Sequence, residues 1–112
     1  MFGSKEKKIG NLIKRKKWDI LNKKYLYADT DTRLLLAKEC GNSMDPGVNT
    51  ILVALFRDPD ENVQLESVRA MAKTGKDHEV SQLQWLLSNT PDDKEELKYA
   101  IQSAISNIRG KK

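Results

Sequence analysis

The sequence predicts an all-α fold, an α-solenoid of about three helical hairpins preceded by one extra N-terminal helix. Apolar residues recur with the period of an α-helix, and the patterns typical of strands are nearly absent. Residues that start and stop helices separate these stretches, and the apolar pattern returns after about 31 to 34 residues. We therefore expect helices near residues 4–14, 16–27, 31–41, 46–56, 60–74, 78–88 and 92–109.

The first of these helices is basic and is expected to cap one end of the stack. Residues 1–24 hold nine lysines and arginines against two acids, a net charge of +7, whereas residues 25–112 carry −3. We predict a capping segment over residues 4–15. Its inward-facing residues are expected to be Ile9, Leu12 and Ile13.

Short turn motifs predict where the later helices begin and end. An Asp or Thr before a proline is typical of a helix N-terminus, because the side chain caps the helix and proline has no N–H to satisfy. The three motifs are Asp45-Pro46, Asp58-Pro59 and Thr90-Pro91. Glycine favours the C-terminal end of a helix. The glycines that fit this role are Gly41, Gly75 and Gly110.

The repeat becomes visible when the helices are taken in pairs. A shift of 31 residues places Leu21 on Leu52 and Cys40 on Met71, and a shift of 34 places Met71 on Ile105. A single helix pair of this size cannot bury its apolar face, so neighbouring pairs must stack and share a core. This predicts three repeat units, over residues 16–43, 44–75 and 76–109.

The junction at residues 55–64, LFRDPDENVQ, and its continuation SVRAMAKTG at residues 67–75 resemble HEAT repeats. They are most similar to the short bacterial HEAT-like repeats that also occur in phycobilisome lyases, and the resemblance covers roughly residues 17–109. It implies an arginine that opens each second helix and forms an ion pair between neighbouring repeats. The positions concerned are Arg33, Gln64 and Lys98, so only the first unit keeps the arginine.

Composition excludes several classes of function. The chain has 112 residues, the length of one domain, with 38% hydrophobic and 32% charged residues and a net charge of +4. One cysteine excludes an internal disulfide, and one histidine excludes a metal site built from several histidines. The longest apolar run, residues 51–56, is far shorter than the ~20 residues of a membrane span. We expect a cytoplasmic protein.

No catalytic residue, cofactor or metal site is predicted. Cys40 aligns with core positions and is expected to be a buried, inert thiol. The di-iron HEAT-repeat enzyme deoxyhypusine hydroxylase needs several His-Glu pairs, whereas this chain has one, His78-Glu79. His78 is therefore expected to be a surface residue near a helix start. Most acids lie in caps and turns, where the helix dipole accounts for them.

We expect a protein partner to bind the concave face formed by the second helix of each repeat. One row of aligned residues on this face is apolar: Leu34, Leu65 and Tyr99. Beside it lies a second row, Lys38, Arg69 and Ser103, and a third, Asn42, Lys73 and Asn107. The predicted partner residues are Leu34, Lys38, Leu65, Arg69, Lys73 and Tyr99. The partner would offer apolar anchors and acidic flanks, although the leucines also fit packing between helices.

The basic segment 5–24 offers an alternative function, because cations mixed with aromatic residues are typical of nucleic-acid binding. The candidate residues are Lys14, Arg15, Lys16, Lys17, Lys23 and Lys24. A solvated capping helix and a helix lying on anionic lipid are the competing interpretations. Trp18 is expected to pack against the N-terminal helix and Trp85 to lie in the core. Self-association through an incompletely capped end stays open.

Overall fold

The computed structural model describes the backbone of residues 2–110 and the side chains of residues 5–110. Every regular element in this range is helical, which confirms the all-α prediction. The helices are α1 (Phe2–Lys14), α2 (an α-helical turn, Trp18–Ile20, that continues as π-helix over Leu21–Tyr25), α3 (Thr30–Gly41), α4 (Val48–Leu55), α5 (Glu61–Thr74), α6 (Val80–Ser88) and α7 (Glu95–Arg109). A 3₁₀ turn, Asp77–Glu79, leads into α6.

The second helices of the predicted pairs lie side by side. α5 is the central helix, because it contacts α3 on one side and α7 on the other. α4 packs against both α3 and α5, and α6 packs against α7. α1 packs against α3, so that α3 separates it from α5. α3, α4 and α7 thus surround α5, which buries six of its residues: Val63, Leu65, Ser67, Val68, Ala70 and Met71.

Residues that the predicted repeat aligns with one another are buried in the core. Leu21 and Leu52 are both fully buried, as are the aligned Cys40 and Met71, and Ile105 is 8% exposed. At the N-terminal end, Ile9 and Ile13 are buried and Leu12 is half-buried against the core, as expected for the inner face of α1.

Arg33 and Asp58 form the ion pair that the resemblance implies for the first unit. Arg33 Nε lies 2.6 Å from Asp58 Oδ2 and Nη2 lies 3.1 Å from Oδ1, while Nη1 donates to the Ala28 carbonyl at 2.6 Å. The Asp58 side chain is 5% exposed, and its hydrogen bond raises the pKa of Arg33 above the ordinary value. In the next unit Gln64 takes the place of the arginine and donates to the Phe56 carbonyl at 2.7 Å.

α4 begins at Val48, two residues later than predicted, because Asp45 caps a turn instead of the helix. Asp45 Oδ1 accepts a hydrogen bond from the Gly47 N–H at 2.8 Å, and this turn contains Pro46. The Trp18 ring lies directly against Gly47: a Cβ added to the glycine would stand 2.4 Å from Trp18 Cζ2. Trp18 thus fixes α2 against the loop between α3 and α4.

The Gly47→Ala variant is expected to lower the free energy of unfolding by about 1–3 kcal/mol, because the added methyl group must displace the Trp18 ring. Thermal unfolding followed by circular dichroism measures this. Gly10→Ala is the matched control, since its Cβ meets only the end of the Glu39 side chain, at 3.2 Å, and alanine favours a helix interior. Equal melting curves for the two variants would contradict the packing of Trp18.

α7 begins at Glu95, three residues later than predicted. Thr90 does not cap it, because its hydroxyl donates back to the Leu86 carbonyl at 2.6 Å. The Lys94 N–H bonds to the Pro91 carbonyl at 3.1 Å, which closes one more turn before the helix starts.

α5 keeps the predicted aspartate cap but shifts it within the motif. The N-cap is Asp60, whose Oδ1 accepts from the Val63 N–H at 3.1 Å. Asp58 is two residues earlier and accepts from the Asp60 N–H at 2.9 Å. The Asp-Pro-Asp motif thus supplies one residue for the helix cap and one for the ion pair with Arg33.

Candidate partner-binding groove

A groove of about 540 Å³ runs between α5 and α7. Its lining residues are Arg69, Ala72 and Lys73 of α5 and Glu96, Tyr99, Ala100, Ser103, Ala104 and Asn107 of α7. The three alanines carry only a methyl group, so they leave the gap between the helices open and give it an apolar floor. Charged and polar side chains, together with one tyrosine, stand around this floor.

Tyr99 is the most exposed apolar feature of the groove, with 72% of its surface accessible. α7 packs mainly against α5 and α6. Its outer face is consequently solvated, and Gln102, Ser103 and Ser106 are exposed beside the tyrosine. A tyrosine left in this position offers a large apolar ring and a hydroxyl to a partner.

Each end of the groove has a polar contact that joins α5 to α7. Arg69 Nη2 lies 3.3 Å from Glu96 Oε2, and both side chains are more than half exposed. At the other end, Asn107 Nδ2 donates to the Ala72 carbonyl at 2.7 Å. Exposed ion pairs contribute little to stability, about 0–1 kcal/mol, so a carboxylate of a partner can take the place of Glu96 at small cost.

The groove contains three of the six predicted partner residues. Arg69, Lys73 and Tyr99 line it, whereas Lys38 is exposed on α3 outside it. Leu65 is only 6% exposed, so the prediction of an exposed apolar row is wrong at this position. The cause is the central place of α5, which α3, α4 and α7 cover on three sides.

Leu34 is half-buried against the core, so the apolar row is only partly exposed at this position. Leu34 and Leu65 therefore contribute to the packing of α3 and α5. Tyr99 is exposed because α5 and α6, the helices against which α7 mainly packs, leave this position uncovered.

Trp85 was expected in the core but is 41% exposed, so that prediction is wrong. The Arg57 guanidinium lies over its ring, 4.4 Å from the centroid, in a cation–π contact. Arg57 follows α4 and Trp85 lies on α6, so no residue spacing within one helix could have predicted their contact. Arg57 also lines a hollow of about 390 Å³ together with the exposed Tyr27.

The six cations predicted for nucleic-acid binding, Lys14, Arg15, Lys16, Lys17, Lys23 and Lys24, are all exposed. Of the two aromatic residues among them, Trp18 packs on Gly47 and Tyr25 is 6% exposed. Neither ring presents a free face to a nucleic-acid base.

His78 and Glu79, the one His-Glu pair weighed as a metal site, lie in the 3₁₀ turn before α6. His78 is 77% exposed at its side chain and pairs with Glu79. The Glu79 side chain is almost buried and accepts from Asn49 Nδ2 at 3.2 Å and from the Lys76 N–H at 2.7 Å. Within residues 5–110 no group of three or more His, Cys, Asp or Glu side chains is placed to hold a metal ion. No helix in the described part of the chain is long and apolar enough to cross a bilayer.

Cys40 is fully buried, and this burial, together with the charge of Glu39, raises the pKa of its thiol to about 12. Because the thiolate is the reactive form, the native protein is expected to resist iodoacetamide at about pH 8 and to react fully in denaturant. Mass spectrometry of the alkylated protein measures this. Fast alkylation of the native protein would contradict the placement of Cys40 in the core.

One comparison to known proteins agrees with the all-helical fold. The family of HEAT repeats matches the chain over residues 24–106, from the end of α2 to near the end of α7. No curated protein and no solved structure matches the chain.

Proposed function

This chain belongs to the HEAT repeat family, and we propose that it is a non-catalytic interaction or scaffold module that binds a protein partner in the groove between α5 and α7. HEAT repeats commonly mediate protein–protein interaction. The observation that carries the proposal is Tyr99, which stands 72% exposed beside a floor of three alanines. A ring so exposed adds little to the stability of α7, whereas a partner gains a large contact area from it.

The charges around the groove favour a partner segment with an apolar anchor and acidic flanks. Arg69 and Lys73 stand on the α5 side, and Lys38 adds an exposed cation on the adjoining helix α3. Glu96 is the acid of the groove, and it already pairs with Arg69. An incoming carboxylate would therefore meet cations on the α5 side, while an apolar side chain packs on the alanines next to Tyr99.

Tyr99→Ala and Arg69→Glu are expected to weaken partner binding at least about tenfold, since exposed tyrosine and arginine side chains are frequent hot spots of binding energy. The melting temperature should change little, because both residues are exposed. Capture of partners from the native lysate by the immobilised chain, followed by titration of the captured partner, measures the loss.

Two matched variants serve as controls for this experiment. Tyr27→Ala removes another exposed tyrosine, and Arg109→Glu reverses another exposed arginine, and neither residue lines the groove. Both should bind like the native chain. Equal binding by Tyr99→Ala and Tyr27→Ala would exclude the groove as the partner site.

Nucleic-acid binding through residues 5–24 stays the alternative. The exposure of its six cations supports it, but the packing of Trp18 and the burial of Tyr25 count against base recognition. The bacterial source, the likeness to phycobilisome lyase repeats, the cytoplasmic location, self-association and the division into units at residues 16–43, 44–75 and 76–109 also stay predictions.

A further inference from the structure

The turn between α1 and α2, together with the outer face of α2, forms a cationic surface that the groove does not use. We call this surface the basic end, and its cations are Lys14, Arg15, Lys16, Lys17, Lys23 and Lys24, all exposed. Lys16 Nζ lies 3.6 Å from Asp45, which is the one carboxylate within residues 5–110 that pairs with any of these six cations. The surface therefore keeps most of its positive charge.

Exposed apolar side chains lie among these cations. Ile20 is 43% exposed on α2, three residues before Lys23 and four before Lys24. Leu21 and Tyr25, the buried residues of the same helix, face the core.

A second element adds an aliphatic side chain to the same end of the molecule. Met44 is 87% exposed and directly precedes Asp45, the partner of Lys16. The contact of Trp18 with Gly47 holds this loop against α2. The basic end thus combines cations with two exposed aliphatic residues, Ile20 and Met44.

This combination distinguishes a bilayer from a nucleic acid. Aromatic rings that stack on bases strengthen nucleic-acid binding, but Trp18 and Tyr25 are packed against the protein. Exposed aliphatic residues between cations gain nothing from a phosphate backbone. At an anionic bilayer they enter the boundary between headgroups and acyl chains, while lysines pair with lipid phosphates.

We propose that the basic end binds peripherally to the surface of an anionic lipid bilayer. α3 lies between α1 and α5, so α3 and α5 separate α1 from the side of α5 on which the groove with α7 lies. The chain would then hold a protein partner in the groove while its other end rests on the membrane.

Co-sedimentation with vesicles tests this proposal. Vesicles of phosphatidylcholine with added phosphatidylserine are expected to bind the full chain at about 0.1 M salt, and vesicles of phosphatidylcholine alone are not. Lys23→Glu with Lys24→Glu should reduce binding at least about tenfold, because each basic residue near an anionic surface contributes roughly a factor of five. Ile20→Ser with Met44→Ser should reduce it severalfold without changing the net charge. Tyr99→Ala, in the groove, should bind like the native chain.

Three results would overturn the proposal. The first is equal binding to both kinds of vesicle. The second is full vesicle binding by the Ile20→Ser, Met44→Ser variant, since the aliphatic residues would then play no part. The third is retention of a duplex or single-stranded oligonucleotide at the same salt without vesicle binding, which would assign the basic end to nucleic acid. All variants change exposed residues, and circular dichroism verifies that each remains folded.

Discussion

Leu65→Asp is expected to unfold the protein instead of selectively weakening partner binding. Leu65 is 6% exposed on α5, the helix that α3, α4 and α7 enclose. A carboxyl group there loses its hydration, and the apolar contacts of the leucine are lost at the same time. The loss should exceed about 4 kcal/mol, a large part of the roughly 5–15 kcal/mol that stabilises a typical domain.

Thermal and urea unfolding of Leu65→Asp, Leu65→Ala and Tyr99→Asp separates the loss of packing from the burial of a carboxyl group. Leu65→Ala should lose about 2–5 kcal/mol, because it removes the packing without adding a polar group. Tyr99→Asp places the same carboxylate on an exposed site and should lose no more than about 0.5 kcal/mol. A native-like melting curve for Leu65→Asp would show that Leu65 lies on the surface.

Asp58→Ala is expected to lower the free energy of unfolding by about 3–5 kcal/mol, because it leaves the largely buried charge of Arg33 without its ion-pair partner. The Arg33 side chain is 16% exposed and directs both Nε and Nη2 at this carboxylate. The Asp60 N–H loses its acceptor in the same variant. Chemical denaturation gives the free energy of unfolding.

A control and a double variant make this test specific. Asp92→Ala also removes an ion pair, with Lys98, but the Asp92 side chain is 99% exposed, so a much smaller change is expected. Arg33→Leu in the Asp58→Ala background should recover part of the loss, because no unpaired charge remains. If Asp58→Ala is no more destabilising than Asp92→Ala, the pair does not hold the first two repeats together.

The helical period and the repeat register were enough to predict the core. Leu21, Leu52, Cys40, Met71 and Ile105 were aligned from the sequence, and all five are buried. Burial on a helix follows the period of 3.6 residues, and stacking brings equivalent positions into equivalent surroundings. The resemblance to HEAT repeats also implied the ion pair of Arg33, which the structure confirms.

Features that depend on which helices surround a given helix could not be predicted from the sequence. Leu65 and Tyr99 occupy aligned positions. Leu65 is enclosed because α3, α4 and α7 surround α5, whereas Tyr99 is exposed because α5 and α6, the main neighbours of α7, leave it uncovered. The groove itself depends on small residues, such as Ala72 and Ala100, that meet across two helices. Trp85 is exposed under Arg57, a contact between distant positions.

The starts of α4 and α7 were misplaced for a local reason. Proline is common both in tight turns and in the first turn of a helix, so Pro46 and Pro91 could not distinguish a turn from a helix start. In the structure the carboxylate of Asp45 closes a turn, and the Thr90 hydroxyl bonds backwards to α6.

Site-specific photo-crosslinking tests the central claim, that the groove between α5 and α7 is the partner site. A photoreactive phenylalanine analogue replaces Tyr99 in one variant and Gln84, an exposed residue of α6 outside the groove, in another. Irradiation in the presence of the captured partner should yield a crosslinked complex from position 99 and none from position 84. A complex that forms from position 84 and not from position 99 would contradict the claim.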